Sequence, residues 1–515
     1  MLPEFRNEPL TDFSVSAHRS AFYQALTLVE KRLPLKGSIL IGGRRSAAKT
    51  WFGSINPCDP RQVVGRFPEG TPADADRALD AATAAFPSWS AIPPEERAAV
   101  LLRIAWTLRR RKHEFSAMMV LEESKSWAEA DGDTAEAIDF CEFYAREMLR
   151  LSGPQPLTPF AGENNELLHI PLGVCVVIPP WNFPLAILCG MTTAALVSGN
   201  TVVLKPSSDS AAIATMFVEV CEEAGVPPGV LNFVTGGGAT VGNALVESPK
   251  TRLIAFTGSR DVGVEISAKA GRVAPGQLWI KRAILEMGGK DFIFVDETAD
   301  IEDAAKGIVS SAFGFQGQKC SACSRLIVHQ KVHRDLLDLV VQGTKRLTIG
   351  DVRDPKNAIG AVINKRAQER ILEYARLGGD EGRVVAGGKA GPKAGYFVMP
   401  TVVDGVKPSS RIACEEIFGP VLGVIKVRNF EEGIRVANAT EYGLTGSLYS
   451  RDRERLLRGK RELFVGNLYL NRKCTGALVG VNPFGGFNMS GTDSKAGGRE
   501  YLYLFTQQKA ISEKL

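Results

Sequence analysis

The chain has 515 residues, of which 44% are apolar and 23% charged, a balance that excludes wholesale disorder. Its length implies about three domains or two large ones. The net charge of +5, from 62 basic and 57 acidic residues, is too dilute to mark a nucleic-acid face.

The first ten residues carry Glu4, Arg6 and Glu8 and no apolar signal core, so a cytoplasmic chain with free thiols is expected. From about residue 72 to 150 the composition turns to Ala, Leu, Glu and Arg, and helices are expected over 73–85, 94–113, 117–125 and 133–151. The run Arg109-Arg110-Arg111-Lys112 closes the second helix, after Leu101, Ile104, Ala105 and Leu108 at helical spacing. It reads as a solvated helix end rather than a phosphate site. Residues 156–170 look extended. From 170 to 204 there is no charged residue, a length that could cross a bilayer, but Pro171, Pro179, Pro180 and Pro184 would break such a helix repeatedly. Two buried strands around a turn and a helix are expected there, and no membrane span.

Short Val- and Ile-rich runs then alternate with helical segments: 174–178, 201–204, 230–234, 253–256, 283–286 and 292–295. Strands apolar throughout, separated by helices, imply a parallel sheet covered on both faces. The alternation resumes with 325–329, 384–386, 421–427 and 446–449, which argues for a second α/β unit. The last 25 residues alternate apolar and polar like an edge strand. With 156–170 they are expected to form an arm that reaches another subunit, making a homo-oligomer of at least two chains. The fold class expected is α/β, with two parallel-sheet domains and a small β arm. The divisions are 1–150 with 171–285, then 286–465, then 151–170 with 490–515 as the arm.

Four places could carry chemistry. Cys320 follows a glycine-bearing turn, precedes small residues and leads into a strand, as an accessible nucleophile would; a buried structural thiol is the plainer alternative. A free thiol with pKa near ~8.5 needs local help to ionise. Cys320-Ser-Ala-Cys323 lacks a second pair or spaced histidines, so a structural metal is not expected. Glu286 ends an apolar run and precedes Met-Gly-Gly-Lys290; it faces a cleft or is simply a solvated loop residue. Asn182, between Pro180 and Pro184, is either an oxyanion donor or an Asx turn. No G-x-G-x-x-G fingerprint exists, but Thr257-Gly258-Ser259 follows a strand and opens a helix with Gly263, where backbone could approach a pyrophosphate. Lys205-Pro206-Ser207-Ser208 follows another strand and could reach ribose hydroxyls.

Taken together, the sequence resembles the aldehyde dehydrogenase superfamily along nearly its whole length. The resemblance rests on seven motifs in order: Pro180-Trp-Asn-Phe-Pro184, Lys205-Pro206, Phe256-Thr-Gly-Ser-x-x-x-Gly263, Glu286-x-Gly-Gly-Lys290, Gly317-Gln-x-Cys320, Glu415-Glu-Ile-Phe-Gly-Pro420 and Pro483-Phe-Gly-Gly486. Further phrases, Phe5-Arg-Asn-Glu-Pro9, Gln318-Lys-Cys-Ser-Ala-Cys-Ser-Arg325, Gly466-Asn-Leu-Tyr469 and Asn471-Arg-Lys-x-Thr-Gly-Ala-Leu-Val-Gly480, are similar to the branch that oxidises L-glutamate γ-semialdehyde.

The resemblance implies a Rossmann-like NAD-binding domain from 1–150 and 171–285, and a catalytic domain bearing the cysteine. It implies that Cys320 attacks the aldehyde, Asn182 holds the oxyanion and Glu286 activates water. It assigns the cofactor wall to Pro180, Trp181, Lys205, Ser208, Gly238, Gly242, Thr257, Gly258, Ser259, Glu416 and Phe418. Phe183, Ser321, Gly476, Ala477 and Phe484 would hold the aldehyde substrate, the glycine loop presenting amides to its carboxylate. Three positions after Lys205, where many NAD-preferring relatives carry a glutamate, stands Ser208, so NAD is the expected cofactor and NADP is expected to be tolerated. The competing substrate is another semialdehyde, such as succinic semialdehyde. A non-catalytic relative kept for bulk is the competing class, against which the three retained catalytic positions argue.

Overall fold

The computed structural model describes residues 2–515. Two seven-stranded sheets carry the chain. The first runs in the order Arg282–Glu286, Leu253–Thr257, Val174–Ile178, Thr201–Leu204, Leu231–Phe233, Ile39–Ile41, Arg44–Ser46. Its first five strands are parallel and its last two pair antiparallel at one edge. The second runs Arg383–Ala386, Thr401–Asp404, Val421–Val427, Cys323–His329, Asp291–Val295, Thr445–Tyr449, Asn467–Leu470, with only the first of these antiparallel. That last strand carries the second sheet past residue 465, where the sequence analysis set the end of its domain.

The central strands are apolar on both faces because helices cover both. Val176, Val202, Leu204 and Ala255 are fully buried, as are Phe294, Leu326 and Leu422 in the second sheet. The uncharged stretch 170–204 supplies two of the first sheet's strands and the buried helix Ala186–Val197 between them. Among the described residues no helix is long and apolar enough to cross a membrane.

The helical region differs from the sequence expectation at its boundaries. Pro72–Ser90 runs five residues past 85, through Pro87, because Trp89 is anchored in the core and donates its indole N–H to the Leu196 carbonyl at 3.1 Å. A break at Arg111 separates Pro94–Arg110 from Lys112–Glu122, and Ser126 caps the next helix, Trp127–Leu151, six residues before the expected start. The helix Ser16–Lys31 and the three-stranded sheet Leu35–Lys36, Asp59–Pro68, Trp51–Asn56 were not anticipated. Three of the four charges in the basic run at 109–112 are paired. Arg109 pairs with Glu8 at 2.8 Å, Arg111 with Glu114 at 2.9 Å and Lys112 with Asp131 at 3.1 Å, while Arg110 lies 4.3 Å over the Trp106 ring.

Glu163–Pro171 and Thr506–Lys514 form a separate antiparallel ribbon, register Pro171 to Thr506 through Glu163 to Lys514. Residues before 506 do not join it: Tyr501–Phe505 is a tight helical turn with Tyr501, Leu502 and Phe505 buried.

Candidate active site

In the first sheet the chain moves outward from Val174–Ile178 through Thr201–Leu204 to Leu231–Phe233, then returns to the other side of Val174–Ile178 for Leu253–Thr257 and Arg282–Glu286. Strand order therefore reverses beside Val174–Ile178, and in such sheets the crevice beyond the carboxyl ends at the reversal receives ligands. Every motif of the first sheet emerges there. Ile178 leads into Pro180-Trp181-Asn182, Leu204 into Lys205, Thr257 into Gly258-Ser259, and Glu286 closes its own strand in register with Thr257.

Two cavities meet at this edge. The larger, about 600 Å³, is walled by Pro180, Trp181, Asn182, Lys205, Thr257, Gly258, Ser259, Glu416 and Phe418. The smaller, about 120 Å³, is walled by Phe183, Ser321, Gly476, Ala477, Phe484 and Glu286. Cys320, Thr257 and Met287 belong to both. The sulfur thus stands at the junction of a cofactor-sized trench and a small, aromatic-lined chamber.

Cys320 is placed by a strained turn. Phe315, Gln316 and Gly317 take positive φ of 48°, 57° and 65°, a conformation that costs the two non-glycine residues about 1–3 kcal/mol each. The surroundings over-determine it. Gln316 Nε2 donates to the carbonyls of Ser124 at 3.0 Å and Ala361 at 2.8 Å, and Gln318 Oε1 accepts the Ile363 N–H at 2.9 Å. Burial pushes the Cys320 thiol up, and the Asp291, Glu286 and Glu416 carboxylates add to the shift. A positive charge entering the trench would oppose both causes.

Asn182 is buried and donates one amide hydrogen to the Gln318 carbonyl at 3.0 Å, which ties it to the cysteine loop and leaves the second hydrogen without an acceptor among the described residues. The Cys320 backbone N–H also has no acceptor among them. Two free donors beside one sulfur are the requirement for an oxyanion hole. An Asn182→Ala variant is accordingly expected to lose about 10²–10³-fold in kcat, measured as steady-state aldehyde oxidation, with the unfolding midpoint as control.

Glu286 accepts a hydrogen bond from Ser494 Oγ on Oε1, while its Oε2 is buried without a partner. Burial lifts its carboxyl to about 7, against the lowering effect of Ser494 and Lys495. That value suits a general base working near neutrality. Glu136, on Trp127–Leu151, also lines the small cavity, and burial followed by the nearby Asp133 lifts it to about 8.

The trench fits a dinucleotide. Lys205 is 5% exposed and uses one donor on the Pro206 carbonyl at 3.0 Å; no other acceptor among the described residues meets its ammonium, and desolvation pulls it down to about 8. Ligand hydroxyls would supply the missing acceptors. Glu416 Oε1 accepts the Gly289 N–H at 3.0 Å, and a Cβ at Gly288 would sit 2.3 Å from its other oxygen, so glycine is needed for this carboxylate to lie in the trench. Ser259 precedes the helix Arg260–Ala270, and Ser259, Asp261 and Val262 line the trench, which brings the N-terminus of that helix to its wall. Trp181 meets the Phe418 ring edge-on at 5.6 Å.

Three expected cofactor residues stand outside this wall. Ser208 opens a short turn and is exposed, with Ser207 taking the trench face instead; Gly238 is exposed at the start of the turn Gly238–Gly242; and Gly242 backs the Lys205 stem. Asn364, Arg366 and Arg370, which line the trench, were missed along with Glu136. The first three come from the second sheet's helix Lys365–Glu381 and the residue before it, with no local signature beyond helical spacing. Cys323 is buried at the start of its strand and donates to the Arg325 carbonyl at 3.6 Å, as a structural thiol does.

A two-sheet α/β fold with a cysteine between a dinucleotide-sized trench and a small chamber containing a carboxyl base defines a class of enzyme that oxidises carbonyl substrates through a covalent thioester. The aldehyde dehydrogenase family model matches residues 44–511, and the chain belongs to that family. It is 53% identical over 513 residues, all of both chains, to the 1-pyrroline-5-carboxylate dehydrogenase of Geobacillus kaustophilus. A Thermus 1-pyrroline-5-carboxylate dehydrogenase solved with bound NAD superposes with TM-score 0.98 at 48% identity, covering both chains fully. The Δ-pyrroline-5-carboxylate dehydrogenase from Mycobacterium tuberculosis gives 0.93 at 32% identity, covering all of this chain and 96% of that one.

Proposed function

We propose that the protein oxidises L-glutamate γ-semialdehyde, the open form of 1-pyrroline-5-carboxylate, to L-glutamate with NAD, as a step of proline degradation. The observation that carries this is the meeting of two cavities at Cys320, in a chain half identical along its full length to 1-pyrroline-5-carboxylate dehydrogenases.

In this reading the Cys320 thiolate adds to the aldehyde carbon, forming a C–S bond and moving the carbonyl pair onto oxygen. Asn182 and the Cys320 N–H hold that oxyanion. NAD, when bound, would supply the hydride acceptor and a positive charge, and Lys205, Glu416 and the helix N-terminus after Ser259 would hold it. Loss of the hydride restores the C=O as a thioester. Glu286 removes a proton from water as its oxygen attacks the thioester carbon, and collapse expels the Cys320 thiolate and leaves a carboxylic acid.

Specificity lies in the small chamber. Phe183 and Phe484 flank the aliphatic middle, Ser321, Gly476 and Ala477 take the α-carboxylate, and Glu136 accepts from the α-ammonium. After Lys205 the trench wall carries Ser207 and no carboxylate, and with Arg366 also on the wall NADP is tolerated as a weaker cofactor. The reading also includes a cytoplasmic homo-oligomer, in which the ribbon Glu163–Pro171 with Thr506–Lys514 reaches a second subunit. It keeps the nucleotide-binding and catalytic roles for the units built on the first and second sheets.

The test is steady-state oxidation of pyrroline-5-carboxylate, succinic semialdehyde and propanal with NAD. The expected order of kcat/KM is pyrroline-5-carboxylate first, by at least about tenfold for the two polar groups recognised. Equal or better use of succinic semialdehyde would overturn the assignment.

A further inference from the structure

We infer that Arg472 is a positioning residue that sets specificity, by turning the amides of Gly476 and Ala477 toward the substrate's carboxylate; this rests on the reading that the substrate carries one. Arg472 follows the edge strand Asn467–Leu470 and is itself held firmly. Its carbonyl accepts the Ser447 hydroxyl at 2.6 Å, and its guanidinium lies 4.3 Å over the Tyr469 ring. From this base a single nitrogen, Nη2, donates to two successive carbonyls, those of Thr475 at 3.0 Å and Gly476 at 3.1 Å.

Those carbonyls share their peptide units with the N–H groups of Gly476 and Ala477. In a trans peptide the C=O and N–H point in opposite directions, so drawing both carbonyls to one cation turns both N–H groups away from it. Both residues line the small chamber beside Cys320. Neither N–H has an acceptor among the described residues. Gly476 has φ +78°, the left-handed conformation that successive amides use to converge on an anion. A charged donor on each carbonyl also polarises the peptide and strengthens its N–H as a donor. Arg472 makes no ion pair among the described residues, so its charge acts on this loop alone.

The route differs from direct attraction between Arg472 and the substrate. Placement matters beside charge: the planar guanidinium stacked on Tyr469 holds Nη2 at the point where both carbonyls meet it, and the shorter lysine, without that planar stack, does not fix its ammonium there. Arg472→Met keeps the stem over Tyr469, and Arg472→Lys keeps the charge. The experiment measures KM and kcat for glutamate γ-semialdehyde and propanal at saturating NAD in the parent and both variants, with unfolding midpoints. The expected result is a KM for the semialdehyde raised about tenfold or more in both variants, as loss of well-placed donors gives, with kcat and both propanal constants within about twofold. The inference is overturned by an unchanged semialdehyde KM, by equal rises for both aldehydes, or by full recovery in Arg472→Lys. If the parent itself shows no preference for the semialdehyde over propanal, the functional reading fails first and the inference with it. A preference intact in the parent and in Arg472→Met sinks the inference alone.

Discussion

A Cys320→Ala variant is expected to fold, to bind NAD in the trench, and to oxidise aldehydes at least on the order of 10⁴-fold more slowly than the parent. The effect is this large because Cys320, where the two cavities meet, carries the reacting sulfur: without it no C–S bond forms and no thioester exists to hydrolyse. The other nearby thiol offers a control. Cys323 lies three residues away but is buried and turned to the Arg325 carbonyl, so Cys323→Ala should retain activity of the parent's order. NADH formation at 340 nm and cofactor-induced shift of the unfolding midpoint measure the two halves of the claim. Full turnover by Cys320→Ala would end the covalent account, and so would inactivity of Cys323→Ala with cofactor binding intact.

The second large effect belongs to Glu286. Its carboxyl titrates near 7, and only the ionised form can take a proton from water. Hydrolysis of the thioester should therefore fall about tenfold per pH unit below that value and level off above it. Glu286→Gln removes the base while keeping the shape. It is expected to lower steady-state kcat by about 10²–10⁴-fold and to abolish the acid limb of the pH profile. Acylation does not need the carboxylate in this scheme, so the variant should still release a burst of about one NADH per Cys320 before stalling. Absence of a burst at undiminished cofactor binding would move Glu286 to the first half of the reaction. A pH profile unchanged in Glu286→Gln would remove it from proton transfer.

The proposed catalytic trio could be picked out because each member sits in a short local phrase whose backbone demands show in the sequence: prolines around Asn182, glycines after Glu286 and before Cys320. The alternation of apolar runs and helices was equally legible, since full burial of a parallel strand keeps its residues mostly apolar. What the phrases could not contain was environment. A loop glutamate and a general base have the same letter, and only burial in the packed structure lifts the Glu286 carboxyl to about 7, against the bond from Ser494, and leaves one oxygen unpaired.

The sequence by itself determined which residues could react and in what order the strands would be laid down. Tertiary structure alone decided the walls. It put Ser207 rather than Ser208 on the trench, brought Arg366 and Arg370 from a helix more than a hundred residues further along, and aimed Arg472 at two carbonyls beside the substrate chamber. The reason is physical: a nucleophile's phrase is set by the bonds next to it, whereas a cavity is the space left between elements distant in the chain. Its lining depends on which side chains the packed helices and strands turn inward, and sequence spacing does not record that.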